Sequence, residues 1–205
     1  VKYDNFKDEL IRFKEMTHEQ RLDLFDEDLK LIEDTLSHKA ELDFEAIHNI
    51  AQISADAFYI NRTTMEERVE DDSVMTQKYM RTIANKTVHF VDSIMKIIST
   101  NKSLNTYYGA MIERSSGSTI DHMTSVFLVF IPFCFYLNDF SRSRKLSKLR
   151  ANFDRLYAPH YEKLLPNVNT INIQSVIKGG FQEVNDQALL QYSLGTLLHD
   201  IGKLY

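Results

Sequence analysis

Backbone-breaking residues are scarce in this chain, and that scarcity restricts its fold more than any other feature. Only six Gly and three Pro occur in 205 residues. Apolar side chains recur every three or four positions along most of the sequence, which is the period of one helix face. The expected fold class is all-α, with a helical bundle over residues 1–100 and further helices over 101–205. There is no internal repeat and no low-complexity segment.

Thr17 and Gln20 have the spacing of a capping box. They open a helix whose stripe is Leu22, Phe25, Leu29, Ile32 and Leu36, with an acidic, solvated opposite face. A second helix is expected from about Asp43 to Ile60, with Phe44, Ile47, Ala51 and Phe58 near one face. Asn61-Arg62-Thr63 reads as its break, and Thr64-x-x-Glu67 as a cap for a short turn after it. Glu70-Asp71-Asp72-Ser73 then sets negative charge at the positive end of another helix. That helix runs to about Ser99 and is expected to bury Val88, Val91, Met95 and Ile98. These segments suit an antiparallel bundle that senses a signal, dimerises or braces the second half of the chain. The apolar stripe from 22 to 36 is either intramolecular core or the seam of a homodimer. The pattern pauses over residues 100–102, which suggests a domain boundary.

Beyond it, a helix carrying Leu104, Tyr107, Tyr108, Met111 and Ile112 ends in the polar run Ser115-Ser116-Gly117-Ser118. Thr119 or Asp121 starts the most apolar stretch, which continues through Leu137 and contains Pro132. Its apolar part, from Val126, is about two-thirds of a bilayer span, so a buried core helix and no membrane partner are expected. Cys134 is the only cysteine and cannot form an intrachain disulfide. With no signal peptide visible, a cytoplasmic location is expected.

The net charge of −5 gives no global case for nucleic acid. Charge is uneven, however: residues 1–50 hold fourteen Asp/Glu and seven Lys/Arg, while 141–163 hold seven Lys/Arg and two Asp/Glu. Arg142, Arg144, Lys145, Lys148, Arg150 and Arg155 alternate with Leu146, Leu149, Phe153 and Leu156. This basic amphipathic helix is either a solvated face or, through Arg142 and Arg144, a surface that attracts a phosphate-rich ligand. Residues 167–172 read as loop. The last helix is expected from about Asn185 to His199, with Ala188, Leu189, Tyr192, Gly195 and Leu198 on or near one face and Gly202 as its stop.

That helix delivers the pair His199-Asp200. An imidazole nitrogen beside a carboxylate suits first-row divalent metals. The carboxylate has two oxygens and can bridge two ions about 3.5–4 Å apart, an arrangement that activates water against a phosphoryl group. His18, His38, His48, His89 and His160 have no ligand spacing and read as surface or capping residues.

Leu197-Leu198-His199-Asp200-Ile201-Gly202-Lys203 resembles the HD-GYP branch of the HD superfamily, metal-dependent phosphodiesterases that hydrolyse cyclic di-GMP. Thr119, His122 and Val126 also fit the family's earlier His-bearing motif. The resemblance implies an HD-type helical domain over 101–205, with His122, His199 and Asp200 as metal ligands. It implies Lys203 as a catalytic group that neutralises phosphate or holds hydroxide, and a cyclic dinucleotide as substrate. Fe or Mn, two per complete site, is the implied cofactor. Ser118 stands where many members have Glu, which favours two metals over three. His122 and His199 are 77 positions apart, more than double the family's usual gap, so a basic insertion over about 141–182 is expected. The family's later ligands and its Gly-Tyr-Pro loop have no counterpart. A fragment of a longer phosphodiesterase is therefore expected, binding metal weakly and not turning over by itself. Two alternatives stay open: a helical sensing or dimerisation module on a degenerate, non-catalytic HD scaffold, and a different HD nucleotide phosphohydrolase.

Overall fold

Thr17 and Gln20 complete the reciprocal cap that their spacing suggests. Gln20 Oε1 accepts from the Thr17 amide at 2.8 Å, and Thr17 Oγ1 accepts from the Gln20 amide at 3.2 Å. Two donors that a helix start leaves without partners are thereby satisfied. A computed structural model of the chain describes residues 6–37, 43–100, 119–143 and 183–201, with Lys148, Asn152, Arg155 and His160. The described residues form six helices and no strand: α1 (Phe6–Glu15), α2 (His18–Ser37), α3 (Phe44–Glu70), α4 (Val74–Thr100), α5 (Thr119–Arg142) and α6 (Asp186–Leu198). The fold is all-α.

Helices α2, α3 and α4 pack against one another, and α1 packs on α3. The ion pairs Asp26–Lys86 and Glu33–His89 climb α2 and α4 in the same direction. Helix α3 runs the opposite way, as the Arg21–Glu67 pair and the tight 71–73 connection to α4 require. Phe25, Ile32, Ile47, Ala51, Phe58, Ile83, Phe90, Val91, Ile94 and Ile98 form the buried centre of this bundle. Phe25 meets Phe90 edge-on at 6.3 Å, and Phe90 lies 6.4 Å from Phe127, which brings the first half of α5 onto the same core.

Helix α3 does not break at 61–63. Its polar residues turn inward on their own helix: Asn61 Nδ2 donates to the Ala57 carbonyl at 2.7 Å, Thr63 Oγ1 to Tyr59 at 2.9 Å and Thr64 Oγ1 to Ile60 at 2.6 Å. Satisfied in this way, they cost the helix little, and it runs on to Glu70. Asp43 caps its start by accepting from the Ala46 amide at 2.8 Å. Ser73 and Asp71 organise the start of α4. Ser73 Oγ accepts from the Thr76 amide, while Asp71 accepts from the hydroxyls of Thr76 and Ser73 and from the Ser73 amide. The Thr76 and Ser73 bonds hold the Asp71 carboxyl below its ordinary range.

Three expected core positions turn outward. Phe44 and Val88 are exposed, and so is Tyr192 on α6, where the buried residues are Leu189, Ser193 and Leu197. The buried stripe of α6 therefore has a strict four-residue step, and Gly195 faces open space. One helix among those described, over Asp121–Arg142, is long and apolar enough to cross a membrane. It buries Asp121, Met123, Thr124, Phe127, Leu128 and Ile131 in its first half, and a polar Asp and Thr among them suit a protein core.

By its contacts the chain divides into two compact units, Val1–Pro132 with Gln187–Tyr205, and Phe133–Asp186. The first holds the bundle, the start of α5 and nearly all of α6. In the second, Asn138 clamps Val184, donating to its carbonyl and accepting from its amide, each at 2.8 Å.

Asp28 of α2 is buried at 8 % exposure. Burial, then the nearby charges of Asp56 and Glu27, push its carboxyl up to about 8. The folded protein thus keeps a proton that the unfolded chain releases near 3.8. Unfolding sheds that proton between those pH values, so stability falls as pH rises through the window. Asp28→Asn is expected to melt above wild type at pH 8, with the gap closing toward pH 4, as followed by circular dichroism. An equal gap at both pH values would contradict this account.

Candidate metal centre

Helix α6 ends on Leu198, and the chain turns over residues 199–201, with the Ile201 amide donating to the Leu198 carbonyl at 3.0 Å. This turn lets two adjacent side chains leave the helix end together. His199 is exposed and Asp200 is buried. His122 comes from the first turns of α5 and is also exposed. One donor atom from each of His122, His199 and Asp200 lies within 4.8 Å of the other two. The two imidazole rings stand 5.8 Å apart at 68°.

His199 is oriented by its own helix. Its Nδ1 lies 2.7 Å from the Thr196 carbonyl, which has no proton to give, so Nδ1 must be the donor. The other nitrogen, Nε2, lies 3.4 Å from Asp200 Oδ2. In a ring protonated at Nδ1 alone, Nε2 and Asp200 Oδ2 both present lone pairs, which one metal ion can share. Two donors on one tetrahedral ion with bonds of 2.0–2.2 Å stand about 3.3–3.6 Å apart. The observed spacing is close to that edge, and a ring nitrogen of His122 lies within 4.8 Å of a donor atom of each residue. A histidine held at one nitrogen by a carbonyl and offering the other is the usual arrangement of a metal ligand.

The turn is also held from the bundle. Arg62 of α3, 3 % exposed, donates through a terminal guanidinium nitrogen to the Ile201 carbonyl. Its other terminal nitrogen pairs with Glu66 at 2.8 Å, and Glu66 in turn pairs with Lys14 of α1 at 2.7 Å. Neither Arg62 nor Thr196 stood out in the sequence. The Thr196 carbonyl follows from helix geometry once His199 closes α6, whereas the reach of Arg62 carries no local signal.

The structure thus brings together His122, His199 and Asp200. Lys203 and Arg144 lie outside the described residues. Arg142, in the second unit, is exposed and forks onto Glu183 with two bonds of 2.8 Å. That pairing raises the Arg142 guanidinium and lowers the Glu183 carboxyl from their ordinary values. Of the remaining histidines, His18 stacks on Tyr79 at 3.9 Å and bonds Glu67, and His89 bonds Glu33. His160 is exposed, His48 is half-buried and His38 lies outside the described residues.

The neutral ring of His199 is expected in the Nδ1–H form, the reverse of the tautomer common in water. Long-range nitrogen–proton NMR correlations check it, and an Nε2–H ring in the metal-free protein would contradict the orientation described. No family model matches this chain, nor does any curated protein or solved structure give a significant match. The chemistry of the cluster itself therefore carries the functional reading.

Proposed function

We propose that His122, His199 and Asp200 hold a divalent first-row metal ion. We further propose that the chain is part of a metal-dependent phosphodiesterase of the HD-GYP type, acting on a cyclic dinucleotide. The observation that carries this reading is the convergence of one nitrogen from each of two histidines and one carboxylate oxygen within 4.8 Å. Two imidazoles and a carboxylate suit Mn, Fe or Zn better than Mg or Ca, which prefer oxygen ligands. A bound ion of this kind supplies a Lewis acid and a nucleophilic water at neutral pH.

The chain's own groups have distinct parts in this reading. The two histidines each fix one side of the ion. Asp200 has a second oxygen that can serve a second ion, and Lys203 would neutralise a phosphate. Arg142 and Arg144 are the cations proposed to attract an anionic substrate, and Arg142 is engaged by Glu183. Among the described residues three donors converge, fewer than the four to six that each of two metals requires. That shortage favours one weakly held ion here. It also supports a second reading, in which the helices form a sensing or dimerisation module on a non-catalytic HD scaffold.

Calorimetric titration with Mn2+ and with Co2+ tests the site. One equivalent is expected to bind, and His199→Ala or His122→Ala is expected to weaken binding at least about tenfold. Equal binding by wild type and both variants would sink the assignment. Cyclic di-GMP hydrolysis by this chain with Mn2+ or Fe2+ is expected to stay at background, and robust turnover would show that its donors suffice.

A further inference from the structure

The bundle and the metal ligands are far apart in sequence, yet one side chain joins them. Arg62 sits in the middle of α3 and reaches the Ile201 carbonyl, 139 positions away. Ile201 is the residue directly after Asp200, and its amide closes the turn by bonding Leu198. The carbonyl that Arg62 holds therefore fixes the far end of the turn carrying His199 and Asp200. Arg62 is itself fixed by Glu66, and Glu66 by Lys14 on α1. A charged relay thus runs from α1 through α3 to the end of α6.

We infer that Arg62 is a positioning residue for the His122–His199–Asp200 cluster, and that α1 and α3 tune its affinity for metal through the Lys14–Glu66–Arg62 relay. This rests on the metal reading proposed above. Two physical points carry it beyond a structural contact. A guanidinium that is 3 % exposed is a costly group to bury, and a Met of similar length would fill the space without needing partners. Its bond is also made to the backbone of the ligand-bearing turn, where a small displacement moves both donors together. Asp200 is buried, so it has little freedom to compensate by rotating. Groups that orient a ligand from outside typically change metal affinity by 10–100-fold, so about that range is expected here.

The test compares Arg62→Met with Thr17→Ala, which weakens the bundle through the α2 cap and touches nothing at the site. Mn2+ affinity is read by calorimetry, and amide hydrogen exchange at residues 199–201 by mass spectrometry or NMR. Arg62→Met is expected to bind Mn2+ at least about tenfold more weakly and to exchange faster at 199–201. Thr17→Ala should match wild type in both, and Arg62→Lys should recover part of the loss. Unchanged affinity in Arg62→Met, or an equal loss in Thr17→Ala, overturns the inference. Should Arg62→Met fail to fold, Glu66→Gln is expected to show a smaller loss in the same direction, and no loss there overturns it. If wild type binds no Mn2+, the metal reading has failed and exchange alone decides the clamp. Faster exchange at 199–201 confined to the Arg62 or Glu66 variants keeps Arg62 as the residue that positions the turn, and unchanged exchange removes it.

Discussion

A guanidinium withdrawn from water needs oxygens to receive its N–H groups, and both Arg21 and Arg62 are withdrawn in this protein. Arg21 donates to the Phe13 carbonyl at 2.8 Å and to Glu67 at 2.7 Å, which pins the α1–α2 connection to α3. Arg62 is answered by Glu66 and the Ile201 carbonyl. The two glutamates are neighbours on α3 and point in different directions, one toward α1 and the other toward α2 and His18. Burial alone would raise the Glu67 carboxyl, but Arg21 and His18 outweigh it and hold the group below its ordinary value. Both networks require α3 to continue a full two turns past Ile60. The length of that helix is thus set by charge as much as by its apolar face.

Much of the bundle was legible in the sequence because its signals are local. The Thr17–Gln20 cap, the Asp43 start and the acidic run before α4 each act within one turn, and each appears where its spacing places it. The misread positions share a different cause. Asn61 and Thr63 look like parts of a helix break, and Thr64 like a cap after it, until their side chains are seen bonding back to carbonyls of the preceding turn. Val88 and Tyr192 carry the period of a buried face but are exposed. Leu189, Ser193 and Leu197 show the true contact line of α6, and a buried serine gives no apolar signal.

The site divides in the same way. His199 and Asp200 could be picked out as a pair because adjacency in sequence is enough to place them together. His122 needed a family resemblance, and the folded chain sets it within reach of both. Arg62 lies within a stretch that reads as a break, and its partner is a backbone carbonyl, which no residue pattern can disclose. Arg142 shows the opposite limit. Its place in a basic helix suggested a free cation, whereas its guanidinium is already engaged by a carboxylate 41 positions away.

The separation between partners also sets what each contact costs to close. Asn61 and Thr87 bond across only 26 positions, so the α3–α4 hairpin closes a short loop. The Arg62–Ile201 contact closes one of 139, at an entropic cost about 1.5 kcal/mol greater. Bringing α6 onto the bundle is therefore the costlier closure. An ion gripped by His122 from one side and by His199 and Asp200 from the other would bridge that last closure. Its binding energy would then serve as folding energy for α6, offsetting the longest loop closure among these contacts.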